Sequence, residues 1–111
     1  KHVITEMGGK NAVIVDDIID TGGTFVQCAE ALKRAGARQV IGACTHPVLS
    51  GNAIERIEQC SAISHIYVTD TIPLRRPSPK LRVISVAHLF AEAIVRTHEN
   101  TSISSLFEIV R

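Results

Sequence analysis

The chain has 111 residues, 45% of them hydrophobic and 21% charged, with a formal net charge of +1. That length supports one small domain with its own core, and the composition excludes a disordered chain. The near-neutral balance supplies no bulk field for nucleic acid or an anionic membrane surface, and no apolar run approaches the roughly 20 residues of a membrane-crossing helix.

No signal-peptide pattern is present. The chain starts at Lys1 rather than Met, with strand-like sequence almost at once, so a piece of something longer is expected. Cys28, Cys44 and Cys60 form no C-x-x-C pair, and an odd count fits no disulfide framework. Cys28 and Cys44 fall within apolar patterns and are expected as small core residues, as suits a reducing cytosol.

Residues 1–10 read as a lead-in with a turn at Gly8-Gly9-Lys10. Ala12 to Val15 is a short apolar run, expected as a strand buried on both faces. Asp16, Asp17 and Asp20 follow, then Thr21-Gly22-Gly23-Thr24. A helix is predicted over about Phe25 to Ala35, with Thr24 as N-cap and Gln27 closing a capping box. Phe25, Cys28, Ala29 and Leu32 recur at helical spacing, and Lys33, Arg34 and Gly36 mark the stop. Val40 to Cys44 is a second strand, which completes a βαβ unit with parallel strands and a right-handed crossover.

His46-Pro47 ends that strand, and His46 reads as a loop histidine beside the site. Ser50 is placed to cap a short helix, about Gly51 to Gln59, with Ala53, Ile54 and Ile57 inward. Ile66 to Val68 is a third strand. Residues 71–80 hold Pro73, Pro77 and Pro79 with Arg75, Arg76 and Lys80, a surface loop. Together with Arg82 these cations form the densest basic patch, expected to be solvated. Leu81 to Val86 is a fourth, weaker strand. A last helix, about Ala87 to His98, carries Leu89, Phe90, Ala93 and Ile94 on one side. Ser102 to Phe107 could be a short strand or a loop. Alternating strands and helices predict an α/β domain with a mostly parallel sheet flanked by helices. Ligands of such sheets bind beyond the strands' carboxyl ends, where Asp16 to Thr24, His46 and Thr69-Asp70 are expected.

The glycine-rich turn before a helix gathers free N–H groups at a positive helix end, which favours an anion. Thr21 and Thr24 add hydroxyl donors. The turn is short enough for one phosphate, and it lacks the endings of a P-loop and of a dinucleotide-binding fold. Asp16, Asp17 and Asp20 are acceptors that would repel a phosphate, so they call for sugar hydroxyls or a Mg²⁺ ion. Phosphate at one end and a hydroxylated ring at the other describes a pentose phosphate. The plainer alternative, an ordinary βα turn with capping aspartates, needs fewer acids and glycines than stand here.

Val13-Ile14-Val15-Asp16-Asp17-Ile18-Ile19-Asp20-Thr21-Gly22-Gly23-Thr24 resembles the phosphoribosyl-diphosphate signature of the type I phosphoribosyltransferase-like fold. That signature is shared by phosphoribosyltransferases and by ribose-phosphate diphosphokinases, also called PRPP synthetases. Ala43 to Gly51, Leu89 to Ile94 and the ending Ser102 to Phe107 are similar to the synthetase family. The resemblance spans essentially all 111 residues. It implies transfer of a diphosphoryl group from Mg-ATP to the C1 hydroxyl of ribose 5-phosphate, giving PRPP and AMP. Asp16 and Asp17 would engage the ribose hydroxyls with Mg²⁺ nearby, and Asp20, Thr21, Gly22, Gly23 and Thr24 would hold the 5-phosphate.

Only the second of the two similar halves of such an enzyme is matched, so residues 1–111 are expected to form a single C-terminal domain of a cytoplasmic protein. The ATP-binding half and the catalytic flexible loop would lie upstream, and the fragment alone is expected to be inactive. The family suggests homo-oligomers, dimers building hexamers, and a regulatory site to which Ser102, Ser104 and Phe107 would contribute. Competing readings are a phosphoribosyltransferase, for which no base-binding hood is recognisable, and a non-catalytic synthetase-associated regulatory subunit, whose loop would be altered. A PRPP-sensing RNA-binding regulator is weakened by the lack of a basic face.

Overall fold

The structure, a computed structural model, describes residues 7–107. The first part of the lead-in, residues 1–6, lies outside them. Its turn is present: Lys10 N–H donates to the Met7 carbonyl at 3.1 Å. In chain order follow β1 (Asn11–Ile19), α1 (Gly23–Arg34), β2 (Gln39–Pro47), α2 (Ala53–Gln59), β3 (Ile63–Thr69), β4 (Leu81–Ile84), α3 (Ala87–His98) and a 3₁₀ turn (Ser104–Phe107). The strands form one sheet in the order β1-β2-β3-β4, every pair parallel.

Sequential order with right-handed crossovers places α1 and α2 on the same face. The register accounts for that face row by row. Ile14, Gly42, Ile66 and Leu81 lie across from one another, as do Asp16, Cys44, Val68 and Val83. Over these rows pack Phe25 and Ala29 of α1 and Ala53, Ile54 and Ile57 of α2, all buried. Gly42 makes the fit possible. A Cβ there would run into the Phe25 ring and stand 3.0 Å from Ile66. Cys44 and Cys60 are buried and Cys28 half-buried, as small apolar residues. Burial pushes the Cys44 thiol pKa up, which keeps it protonated.

The opposite face is open, which corrects the expectation that β1 is buried on both sides. Val13 is 61% exposed and Val15 78%. β1 is an edge strand, and its alternation sends Ala12 and Ile14 to the helices and Val13 and Val15 outward. Across that face Val15, Ala43, Tyr67 and Arg82 are aligned, with the Arg82 guanidinium 6.0 Å from the Tyr67 ring centre.

The 71–80 loop is not simply solvated. Arg76 grips Glu58 (2.7 and 2.9 Å) and Glu55 (2.9 Å) of α2. Arg75 donates to the Gly51 carbonyl at 2.9 Å, and Lys80 to the carbonyls of Ile57 and Cys60 at the end of α2. These cations tie the crossover to α2. The fourth strand stops at Ile84, because Asp70 then accepts from Ser85 Oγ and Val86 N–H and turns the chain into α3. α3 has no buried residue, and Phe90 and Ile94 are exposed. Ser102 to Phe107 resolves as a loop closing in the 3₁₀ turn. Among the described residues no helix is long and apolar enough to cross a membrane.

Candidate functional site

β1 runs on through Asp16 and Asp17 to Ile19, so the first two acids stand on the strand itself and not in the loop beyond it. Ile19, 3% exposed, anchors the strand's end in the core. Regular alternation is lost here, since Ile18 is exposed while Ile19 is buried. One Asp16 oxygen, Oδ1, accepts the Asp17 N–H at 2.8 Å.

Beyond Ile19 the chain turns sharply. Gly22 has φ +83, a left-handed conformation that an L side chain enters only at a cost, and it serves as the N-cap of α1. The helix therefore starts at Gly23, two residues earlier than expected. Thr24 is not its N-cap, and no side chain caps it, so the expected capping box is absent. The consequence is chemical. Among the described residues none of the N–H groups from Thr21 to Phe25 donates a hydrogen bond, and Val26 N–H closes the first turn on the Gly22 carbonyl at 3.0 Å. A run of free amides at a helix start is an anion cradle.

A cavity of about 280 Å³ opens over this turn, lined by Asp16, Ile18, Ile19, Asp20, Thr21, Gly22, Thr24 and Phe25. That is below the roughly 300–1,000 Å³ typical of drug-sized ligands and suits a small sugar phosphate. Of the seven residues singled out from sequence, Asp16, Asp20, Thr21, Gly22 and Thr24 meet in this cavity; Asp17 and Gly23 are not in its wall. Gly23 instead backs onto α2, where a Cβ would sit 3.5 Å from the Arg56 guanidinium.

The oxygen edge of the turn faces the stretch from Leu49 to Arg56. Ser50, expected as a helix cap, donates its hydroxyl to Asp20 Oδ1 instead, and α2 starts after Asn52 with no side-chain cap. Arg56 Nη1 donates to the Thr21 carbonyl at 2.8 Å. Neither contact with the turn is readable from the sequence, since nothing local links position 20 or 21 to positions 50 and 56. A polar knot lies at the ends of β2 and β3: Thr69 Oγ1 and Thr71 Oγ1 both donate to the Thr45 carbonyl, at 2.6 and 3.1 Å. His46, which belongs to β2, contacts Thr71 Oγ1 through Nδ1 at 2.9 Å.

The tail residues are elsewhere. Ser102 and Ser104 are exposed after α3, the Ser104 N–H donates to Ser102 Oγ at 3.2 Å, and Arg96 reaches the Ser102 carbonyl and Ser105 Oγ. They are not in the cavity wall. Phe107 closes the 3₁₀ turn, and its side chain lies outside the described part of the structure.

Residues 1–108 match the family model described as "Phosphoribosyl synthetase-associated domain". The chain is 49% identical over 106 residues to a ribose-phosphate pyrophosphokinase of Campylobacter jejuni, across 96% of this chain and 34% of that protein. It is 52% identical over 108 residues to one of Caldanaerobacter subterraneus, with the same coverage of both. A crystal structure of phosphoribosylpyrophosphate synthetase from Mycobacterium smegmatis superposes with a TM-score of 0.82 at 38% identity, over 87% of this chain and 33% of that one. The chain thus spans about a third of the length of the curated relatives it matches.

Proposed function

Because the chain belongs to the phosphoribosyl synthetase-associated domain family, we propose that it is the ribose-5-phosphate-binding part of a ribose-phosphate diphosphokinase. The observation that carries this reading is the free amide edge from Thr21 to Phe25, with Asp16 and Asp20 beside it in one cavity. The 5-phosphate would sit on those amides and on the Thr21 and Thr24 hydroxyls. Asp16, in the cavity wall, is the nearer acceptor for the ribose hydroxyls, with Asp17 next to it in the chain.

In the whole protein the acceptor so held would receive a diphosphoryl group from Mg-ATP at its C1 hydroxyl, giving PRPP and AMP. Such a transfer asks the protein for positioning and charge stabilisation rather than covalent chemistry. The ATP-binding part would lie in the remaining two-thirds of a chain as long as the relatives, and on the family resemblance this stretch would be the C-terminal unit of a two-domain enzyme. The relatives' names favour this reading over a phosphoribosyltransferase and over a non-catalytic regulatory subunit.

No group of three His, Cys, Asp or Glu side chains that could hold a metal ion comes together among the described residues. Mg²⁺ does not require one: it keeps several waters and takes one or two carboxylates besides phosphate oxygens. Asp16 fits that role through the oxygen not engaged by Asp17 N–H, with Asp17 as a second ligand. Bound there, the ion would neutralise charge on the phosphate oxygens. The cytoplasmic location, the homo-oligomer and the regulatory role of Ser102, Ser104 and Phe107 are assigned on the family resemblance.

The test is Asp16→Ala in the full-length protein, followed by titration with ribose 5-phosphate. We expect affinity to fall by about tenfold or more while the melting temperature without ligand stays close to wild type. Unchanged affinity would overturn the assignment.

A further inference from the structure

The turn that presents the free amides is held from behind by one continuous stretch of chain. Three successive carbonyls are each taken by a donor from it: Ile19 by Leu49 N–H at 3.0 Å, Asp20 by Ser50 N–H at 3.0 Å, and Thr21 by Arg56 Nη1 at 2.8 Å. The Asp20 carboxylate accepts the Ser50 hydroxyl as well. Ala53 lies against Gly22, 3.7 Å from where a Cβ would stand. Arg56 is itself fixed, because its Nη2 donates to Asn52 Oδ1 at 3.2 Å and its backbone N–H to the Asn52 carbonyl at 2.9 Å.

A peptide unit carries its carbonyl and the following N–H on opposite sides. Fixing the carbonyls of Ile19, Asp20 and Thr21 therefore also fixes the N–H groups of Asp20, Thr21 and Gly22. The last of these carbonyls is the one held by a side chain alone. Thr21 sits next to Gly22, the residue with the freest backbone in the turn, so the peptide between them is the one most able to flip. A flipped peptide would point an oxygen at the phosphate.

We infer that Arg56 is a positioning residue for the sugar-phosphate loop: by holding the Thr21 carbonyl it keeps the Gly22 N–H turned into the cavity, and it places a cation behind the bound phosphate. It does not touch the substrate. The inference rests on the sugar-phosphate reading of the loop, and it assigns a role to a side chain outside the loop's own sequence. A charged donor to a backbone oxygen is among the stronger protein hydrogen bonds, and the charge adds attraction for an anion on the far side of the peptide.

The experiment uses the full-length protein with Arg56→Ala, Arg56→Lys and, as reference, Asp16→Ala. Steady-state kinetics with ribose 5-phosphate and ATP are measured together with melting temperatures. Because the effect is on binding in ground and transition state alike, Arg56→Ala should raise KM for ribose 5-phosphate about tenfold and leave kcat and KM for ATP within about twofold. Arg56→Lys, which keeps the charge and one donor, should recover a large part of the loss. Inorganic phosphate should also compete less well against ribose 5-phosphate in Arg56→Ala than in wild type. The inference is overturned if Arg56→Ala leaves KM for ribose 5-phosphate within twofold, or if both substrates' KM values rise by the same factor, the mark of a general structural loss. Should Arg56→Ala not fold, Arg56→Met, which keeps most of the side chain's length but neither donor nor charge, takes its place, and a KM for ribose 5-phosphate within twofold of wild type overturns the inference equally. If Asp16→Ala is without effect, the sugar-phosphate reading itself fails. If Asp16→Ala weakens binding and Arg56→Ala does not, only the positioning role falls.

Discussion

Gly22 and Gly23 stand side by side in the sequence and do different work. Gly22 has φ +83 and turns the chain so that the amides converge. Gly23 is already helical, and the nearest atom to a Cβ there is the end of a flexible arginine at 3.5 Å. Placing an alanine in the left-handed region costs about 1–2 kcal/mol, and the turn can relieve that strain only by changing its shape. We therefore expect Gly22→Ala in the full-length protein to weaken ribose 5-phosphate binding by about tenfold, whereas Gly23→Ala stays within about threefold. Isothermal titration of the two variants separates them, and equal effects would contradict the structure.

The elements around the site are joined by charge as well as by apolar packing. The 71–80 crossover lacks a helix and is secured to α2 by Arg76, whose guanidinium holds Glu58 well below the usual carboxylate range, at about 2. The Ser78 hydroxyl contributes to the same shift, and Arg76 also holds Glu55 down. A carboxylate whose folded pKa lies below its unfolded one stabilises the fold fully only above the unfolded value. That contribution is then lost as pH falls from about 4.5 through about 2. Urea unfolding followed between these two pH values should show a steeper loss of stability in wild type than in Glu58→Gln. The difference is expected to be modest, since the Arg76 and Glu58 side chains are 40% and 28% exposed. Equal slopes would mean that the bridge contributes nothing to the native state.

At the scale of the whole molecule, the sheet is clad on one face only, and α3 buries nothing among the described residues. Parallel sheets elsewhere carry helices on both faces. The chain also spans about a third of its relatives' length. The turn proposed to hold the sugar phosphate is short, and the sequence lacks the longer glycine-rich loop that wraps a triphosphate. We expect the 111-residue chain, incubated with Mg-ATP and ribose 5-phosphate, to release no AMP above background. Measurable AMP in a coupled assay would refute the division of the active site into separate acceptor and donor parts.

The sequence by itself determined the order of elements, the parallel βαβ start and the loop at its end, because strand runs, helical spacing and glycine pairs are written in neighbouring residues. It also singled out Asp16, Asp20, Thr21, Gly22 and Thr24, which lie within nine residues and line one cavity. The tertiary structure alone decided which face of β1 is buried, since burial depends on where α1 and α2 fall and not on the run of Val and Ile. It also decided that Asp16 lines the cavity and Asp17 does not. Gly42 reads from sequence as one more strand residue, and only the position of the Phe25 ring shows why no side chain fits there. The same holds for Ser50 and Arg56: a hydrogen bond across 30 or 35 positions leaves no local pattern, and it forms because the crossover brings the next helix back against the turn.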